Sequence, residues 1–406
     1  MTAFRHASEP MTASMKAESP SRAVVVHVFG RTDVGRTREH NEDAFVVADL
    51  TRGNATLQPE VRTHQVGDRG SLFMVADGMG GAAAGEIASA MAIEVVLREL
   101  TESLSSAEPP DNESYAASLK RATAAANAQI HAFALDHPEY RGMGTTATVA
   151  AVLGDTLFLS QVGDSRAYLV RDGVAQQITK DQSLMQKLIE AGEITEEEAE
   201  HSERRNIILQ ALGPESQIRV DLTHQQVRRG DILVLCSDGL SGQVRIDEIG
   251  RVATEEPDLM VVCKTLIDRA NENGGPDNIT VIAVRFDGDG LVAASERDSV
   301  GHQVFPLTAD SSQMTASTRP TNPTGGFVRD TPVARGRQTL KVPSVEMPVF
   351  PEPTPRVSAA RRVRGSLIAL GLVVVFLTLL TWFTYRTAAS VVAPRSGSTP
   401  AAGVTP

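Results

Sequence analysis

Ser71-Leu72-Phe73-Met74-Val75-Ala76-Asp77-Gly78-Met79-Gly80-Gly81 is the stretch that decides the fold. Ser71–Ala76 is apolar or small throughout and too short for a helix, so it reads as a buried strand. Asp77 closes it, and glycines then open a loop before the helical periodicity of Gly85–Leu100. The same motif, an acidic residue at the end of an apolar strand, recurs outward from here. Asp238 follows Ile232–Cys236, and Asp277 stands just before Ile279–Phe286. Glu42 and Asp43 precede Ala44–Ala48, and Asp164 follows Thr156–Val162. A single Asp at a strand end is an ordinary turn residue. Five such places, most with glycine adjacent, point instead to an oxygen-rich cage for a hard cation such as Mg²⁺ or Mn²⁺. Clustered carboxylates repel one another unless protonated or neutralised by cations. Spacing alone does not establish that they converge. Arg38, four residues before Glu42, could bind a phosphate bidentately beside such a cage. Metal ions and an arginine together suggest phosphate-ester hydrolysis by a water of lowered pKa.

Further strands are expected at Val24–Phe29, Ala147–Leu153 and Ala167–Val170, and further helices at Tyr115–Phe133, Leu184–Ala191 and Leu259–Asn273. Gly154-Asp155 and Arg171-Asp172-Gly173 are tight-turn signals between successive strands, which implies antiparallel hairpins. Strands and helices do not alternate strictly. The fold class is therefore α+β, with antiparallel sheet layers covered by helices.

The whole chain has 406 residues and a net charge of −11, an unpromising balance for a nucleic-acid binder. Its two cysteines, Cys236 and Cys263, exclude a disulfide scaffold and fit a reducing compartment. Charge and texture divide the chain. Residues 1–22 read as a disordered terminus and 23–287 as the globular domain. Residues 288–364 read as a Pro/Ser/Thr-rich disordered linker with a basic end. Residues 288–406 hold 12 basic and 7 acidic residues, the reverse of the domain's balance. Ser366–Tyr385 is a run of 20 residues without charge, about 30 Å long as a helix, and is expected to span a membrane. Arg356, Arg361, Arg362 and Arg364 precede it and Arg386 and Arg395 follow, which predicts a cytoplasmic domain and a short outer tail at 386–406. The expected location is the cell membrane, single-pass; a lipid-anchor signal is the alternative.

The motifs together resemble the protein phosphatase 2C family of metal-dependent Ser/Thr phosphatases, in its bacterial form. The likeness runs from Phe29 to Phe286. It rests on Thr32-Asp33-Val34-Gly35, Arg38-Glu39-His40-Asn41-Glu42-Asp43, Val75-Ala76-Asp77-Gly78-Met79-Gly80-Gly81 and Gly142-Met143-Gly144-Thr145-Thr146. It continues through Gly163-Asp164-Ser165-Arg166, Thr179-Lys180-Asp181-Gln182-Ser183, Ser237-Asp238-Gly239-Leu240 and Asp277-Asn278-Ile279-Thr280, in the family's order. The resemblance implies a four-layer αββα β-sandwich and two Mn²⁺ or Mg²⁺ ions, with a weaker third. It implies that Asp77 bridges the two ions, that the Gly78 carbonyl binds one, and that Asp238 and Asp277 complete the second. Glu42 and Asp43 would hold metal-bound waters, Arg38 would grip the substrate phosphate, and Asp164 with Asp238 would match the third site. Thr179 to Gly213 would form a flap beside the cleft. Met79 stands where many eukaryotic members carry a histidine, which leaves the proton donor open. Gln182 and Ser202 stand where His and Pro are common in the flap, so altered flap contacts are expected. The implied partners are phosphorylated proteins, among them Ser/Thr kinases and their targets, and the chain is expected to be a monomer.

Other readings compete. Cys263 and Arg269 have the spacing of cysteine phosphatases, but the residues between them read as helix interior, so a buried structural cysteine is expected. A regulator that binds phosphoproteins without hydrolysing them would typically lose a cage carboxylate, and none is missing. A membrane-tethered scaffold could use the Pro-rich segment to recruit partners.

Overall fold

The computed structural model describes residues 23–52, 63–81, 84–106, 108–200, 202, 204–295 and 297–308. All of these belong to one compact unit, residues 1–321. The terminus at 1–22, the linker from 309 onward, Ser366–Tyr385 and the tail at 386–406 lie outside the described residues. Among the described residues no helix is long and apolar enough to cross a membrane.

Two antiparallel sheets form the centre. With strands numbered along the chain, the first sheet contains β1 (Val25–Asp33), β3 (Thr63–Gln65), β8 (Arg166–Arg171), β9 (Val174–Gln177), β11 (Ile232–Cys236) and β12 (Ile279–Asp287). Their order is β3-β1-β12-β11-β8-β9. The second contains β2 (Asp43–Asp49), β4 (Ser71–Met79), β6 (Ala147–Leu153), β7 (Thr156–Val162) and β10 (Asp221–Gln226), in the order β10-β7-β6-β4-β2. A short strand, β5 (Gly144–Thr145), pairs with the end of β4. The turn from β8 to β9 places both Asp172 (φ 51°) and Gly173 (φ 83°) in the left-handed region, the requirement of a two-residue hairpin turn.

Side-chain alternation builds the layers. In β4, Phe73 and Val75 face the space between the sheets, where they meet Val26, Leu157, Leu235 and Phe286. Leu72, Met74 and Ala76 face the other way, against α1 (Ala84–Ser103) and α2 (Asn112–Asp136) through Ala88, Val95, Tyr115 and Leu119. In β11, Leu233 and Leu235 point between the sheets, while Ile232, Val234 and Cys236 meet α6 (Ile246–Glu255) and α7 (Leu259–Glu272). The result is a helix–sheet–sheet–helix stack with three apolar interfaces.

Two short helices, α3 (Leu184–Glu190) and α4 (Glu196–Glu200), stand in the segment from Thr179 to Gly213. A bridge from Ser183 to Ile208 closes this segment on itself, and one from Thr145 to Leu212 ties it to the sandwich. At its base Gln182 accepts from the Gly163 and Gln210 amides and donates to the Arg219 carbonyl. A last short helix, α5 (Asp238–Ser241), leaves β11 directly.

The chain does not leave the domain at Asp287, where a linker is expected from composition. Residues 288–308 form a strap. Leu291 is buried in the core between the sheets. Gln303 and Phe305 exchange backbone hydrogen bonds with His224 and Leu222 on the outer edge of β10. The Phe305 ring packs edge-on against Phe158 and His224. Composition hid this because the anchors are few and widely spaced among Ser, Asp and Gly.

Candidate metal centre

Antiparallel pairing gathers the acidic strand ends at one end of the sandwich. In the second sheet Asp43, the first residue of β2, lies opposite Asp77 of β4. Val75 lies opposite Thr148 of β6, and Ala147 opposite Val162, two residues before Asp164. In the first sheet Asp33 at the end of β1 lies opposite Ile279 at the start of β12. Cys236 at the end of β11 lies opposite Val281. Asp238 and Asp277 therefore flank that same end. A direct bond joins the two sheets there: Asp43 Oδ2 accepts from Ser237 Oγ at 2.8 Å and from Thr280 Oγ1 at 2.7 Å.

The carboxylates feel one another strongly. Burial pushes Asp77 well above the ordinary carboxylate range, and Asp43, Asp238, Asp164 and Asp277 push it further. Burial lifts Asp43 and Asp164 to about 7 each. Asp238 is raised by burial and by Asp277, and a hydrogen bond from Asp77 opposes the shift. Crowded together without a counter-charge, these carboxylates favour the protonated form, and a bound cation would relieve the same repulsion. Two oxygens remain uncompensated: Asp43 Oδ1 and Asp164 Oδ1 are buried with no hydrogen-bond partner among the described residues. Such orphaned acceptors are costly unless something positive reaches them. Among the described residues no three His, Cys, Asp or Glu side chains are placed so as to hold a metal ion by themselves. The donors are all oxygen, negative and incompletely enclosing, which fits a hard divalent cation that keeps several waters.

The remaining residues singled out in the sequence form the rim. Arg38 Nη2 donates to Asp277 Oδ2 at 2.8 Å and is half-exposed. Burial raises Glu42 while Arg38 lowers it. The Gly78 amide donates to the Glu42 carbonyl at 3.2 Å. A Cβ on Gly78 would stand 2.2 Å from the Gly85 carbonyl oxygen and 2.5 Å from that of Glu42, so only glycine lets β4 run between α1 and the Arg38–Asp43 loop. Gly35 (φ 79°) has the same role, since a Cβ there would meet the Asp277 carbonyl oxygen at 2.1 Å.

Several residues that enter the sequence only as parts of motifs, with no role assigned, support the site. Asn278 ties three segments together. Its Oδ1 accepts from the Glu42 amide at 2.8 Å, and its Nδ2 donates to the carbonyls of Val34 and His40. Ser237 and Thr280 hold Asp43, and Thr280 is bonded in turn to Thr32. The available signal was a polar Asn-x-Thr placed at the head of the apolar run Ile279–Phe286. Cys263 is buried in α7 with its Sγ directed at the Phe29 carbonyl, and burial pushes its thiol up to about 12. Arg269 pairs with Glu248 and Glu272, so the two do not form a thiolate phosphate cradle. An open depression of about 380 Å³ lies in the flap between Met185, Leu188, Ile194, Glu198, Ser202 and Arg204.

Residues 52–281 match the family described as Protein phosphatase 2C. The chain is 36% identical over 262 residues to the serine/threonine phosphatase stp of Listeria monocytogenes, covering 64% of this chain and 96% of that protein. The crystal structure of the Mycobacterium tuberculosis serine/threonine phosphatase PstP/Ppp superposes with a TM-score of 0.55 at 36% identity, covering 65% of this chain and 99% of that one. A catalytic domain of serine/threonine protein phosphatase PstP, solved in complex with two manganese ions, superposes with a TM-score of 0.54 at 35% identity, with 65% and 99% coverage.

Proposed function

Since the chain belongs to the protein phosphatase 2C family and is a metal-dependent serine/threonine protein phosphatase, we propose that it acts on phosphoproteins beside a membrane through the acidic centre described above. The observation that carries this reading is the gathering of five buried or half-buried aspartates from both sheets, two with orphaned oxygens, next to one arginine.

Asp77, the Gly78 carbonyl, Asp238 and Asp277 would hold two Mn²⁺ or Mg²⁺ ions, and Asp164 with Asp238 would serve a weaker third. Such ions, when bound, lower the pKa of water and neutralise charge on the phosphoryl group. Asp43 and Glu42 accept hydrogen bonds from water and so aim it at phosphorus. Arg38 is exposed enough to turn from Asp277 to two phosphate oxygens, a geometry its guanidinium matches. No side chain supplies a covalent intermediate in this scheme. Both thiols are buried and raised to about 12, out of reach of the nucleophile's role. Met79 carries no transferable proton; in this reading the departing Ser or Thr oxygen takes its proton from water.

The substrates we infer are phosphoserine and phosphothreonine proteins, including Ser/Thr kinases and their targets. The uncharged run Ser366–Tyr385 supports a single-pass membrane anchor, the arginines before it support a cytoplasmic domain, and the Pro-rich stretch supports a flexible tether. Tethering would concentrate the domain near kinases at the same surface. Each catalytic unit acts as a monomer in this reading. The test is phosphate release from a phosphothreonine peptide. It should require Mn²⁺ or Mg²⁺ and vanish with chelator; cation-independent turnover would overturn the mechanism.

A further inference from the structure

We propose that Ser237 and Thr280 are positioning residues that lock the Asp43 carboxylate by one oxygen, so that the other, Oδ1, is presented to a divalent cation or to the water that cation carries. The inference rests on the metal-dependent reading above and assigns to that site a pair of residues outside its ligand set.

The geometry fixes where each proton points. Thr280 Oγ1 stands 2.7 Å from Asp43 Oδ2, and Ser237 Oγ stands 2.8 Å from the same atom. A carboxylate only accepts, so both hydroxyls donate to it. Each hydroxyl has a single proton; Ser237 Oγ also lies 3.4 Å from the Asn278 carbonyl, a longer and weaker claim on that proton than the 2.8 Å contact to Asp43, and the remaining contacts are as acceptor. Ser237 Oγ accepts from the Thr280 amide at 3.0 Å. Thr280 Oγ1 accepts from Thr32 Oγ1 at 2.8 Å, whose proton is thereby assigned. Thr32 Oγ1 accepts from Asn41 Nδ2 at 2.8 Å, and Asn41 Oδ1 accepts from the Asp43 amide at 3.1 Å. The chain of donors is polarised in one direction, from Asn41 through Thr32 and Thr280 into Asp43 Oδ2. Chains of this kind strengthen their members in a low-dielectric interior.

The contrast between the two oxygens is what gives the network a purpose. Oδ2 receives two donors, and Oδ1, equally buried, receives none among the described residues. If the hydroxyls served only to solvate a buried charge, they would be better shared between both oxygens. Instead all the donation is on Oδ2, while Asp43 feels the neighbouring charges of Asp238 and Asp277. Thr280 lies in β12 of the first sheet, Ser237 directly follows β11 of that sheet and Asp43 opens β2 of the second, so the lock also ties the two halves of the centre together.

Thr280→Val keeps the side chain's shape and removes its proton; Thr280→Ser keeps the proton; Ser237→Ala removes the second donor. Mn²⁺ affinity of the full-length chain is measured by titration calorimetry, with peptide hydrolysis and the melting temperature of the chelated protein alongside. Thr280→Val and Ser237→Ala should each weaken Mn²⁺ about tenfold or more, the usual effect of losing a group that orients a metal's surroundings. Thr280→Ser should stay close to wild type, and all should still melt cooperatively when chelated, with Thr280→Val and Ser237→Ala a few degrees lower for the lost bond to a buried carboxylate. Wild-type affinity in both Thr280→Val and Ser237→Ala overturns the inference, as does a Thr280→Ser as weak as Thr280→Val. If one variant fails to fold, the other decides by the same measure. An unaltered chain that binds Mn²⁺ but hydrolyses no phosphopeptide would instead sink the phosphatase reading, leaving the affinity comparison intact.

Discussion

Asp43 and Asp164 have to be ionised to serve a cation, yet burial lifts both to about 7. A cation bound among them favours their ionised forms, so its binding should release protons and weaken as pH falls through this range. Removing one carboxylate charge should break the centre more completely than removing a rim group. Asp77→Asn or Asp238→Asn should lower turnover at saturating Mn²⁺ about a hundredfold or more. A manganese titration of peptide hydrolysis checks this, and wild-type turnover in either variant would contradict the assignment. The acidic residues were legible in the sequence because they recur at the ends of short apolar strands, twice as Asp-Gly, at Asp77 and Asp238. The hydroxyl and amide residues that hold them were not. Ser237, Thr280 and Asn278 carry no charge, and their roles depend on contacts spanning from 41 to 248 positions along the chain.

At the scale of elements, buried strands could be read to within a few residues. Ala147–Leu153, Thr156–Val162 and Ile232–Cys236 have the expected bounds. Each is a continuous apolar run between turn residues. What escaped was peripheral. β10 (Asp221–Gln226) is polar at most positions, since it stands at a sheet edge, and α6 is only 10 residues long and interrupted by Gly250. Gly250 is there because α6 sits close on β9; a Cβ would meet Ala175 at 3.1 Å. The strap from 288 to 308 was hidden for a similar reason, and two predictions belong to it. Phe305 is half-buried, so Phe305→Ala should cost about 2 kcal/mol in a denaturant melt, less than the ~3–5 kcal/mol of a fully buried ring. The strap is also clamped by an ion pair, Arg228 Nη2 to Asp298 Oδ1 at 2.7 Å. Hydrogen bonds from Arg228 and Ser295 hold the Asp298 carboxyl well below its usual range. A depressed carboxyl stabilises the fold above its unfolded-state pKa, roughly 3.9, and that contribution is lost as pH falls toward its folded value. The melting temperature of Asp298→Asn should therefore fall short of wild type at pH 7, and the gap should close toward pH 2. A gap independent of pH would refute the linkage.

For the molecule as a whole, location and chemistry should separate cleanly. Full-length chain should sediment with membranes, and a chain ending at residue 308 should remain in the supernatant with its peptide hydrolysis intact. Equal membrane recovery of both would reject Ser366–Tyr385 as an anchor. The cut at 308 matters, since one at 287 would also remove the strap. The acidic centre has one more consequence, for the history of such a scaffold. Folding forces mutually repelling groups into a dry place, and a carboxyl raised by burial favours the unfolded chain increasingly as pH climbs above its unfolded-state value. Activity and robustness are thus at odds in this protein. In chelator, Asp77→Asn should melt higher than the native sequence, by about 2–4 °C for each kcal/mol regained, in a domain of this size. A lineage released from the need to hydrolyse anything would drift toward heat tolerance by neutralising its own active site.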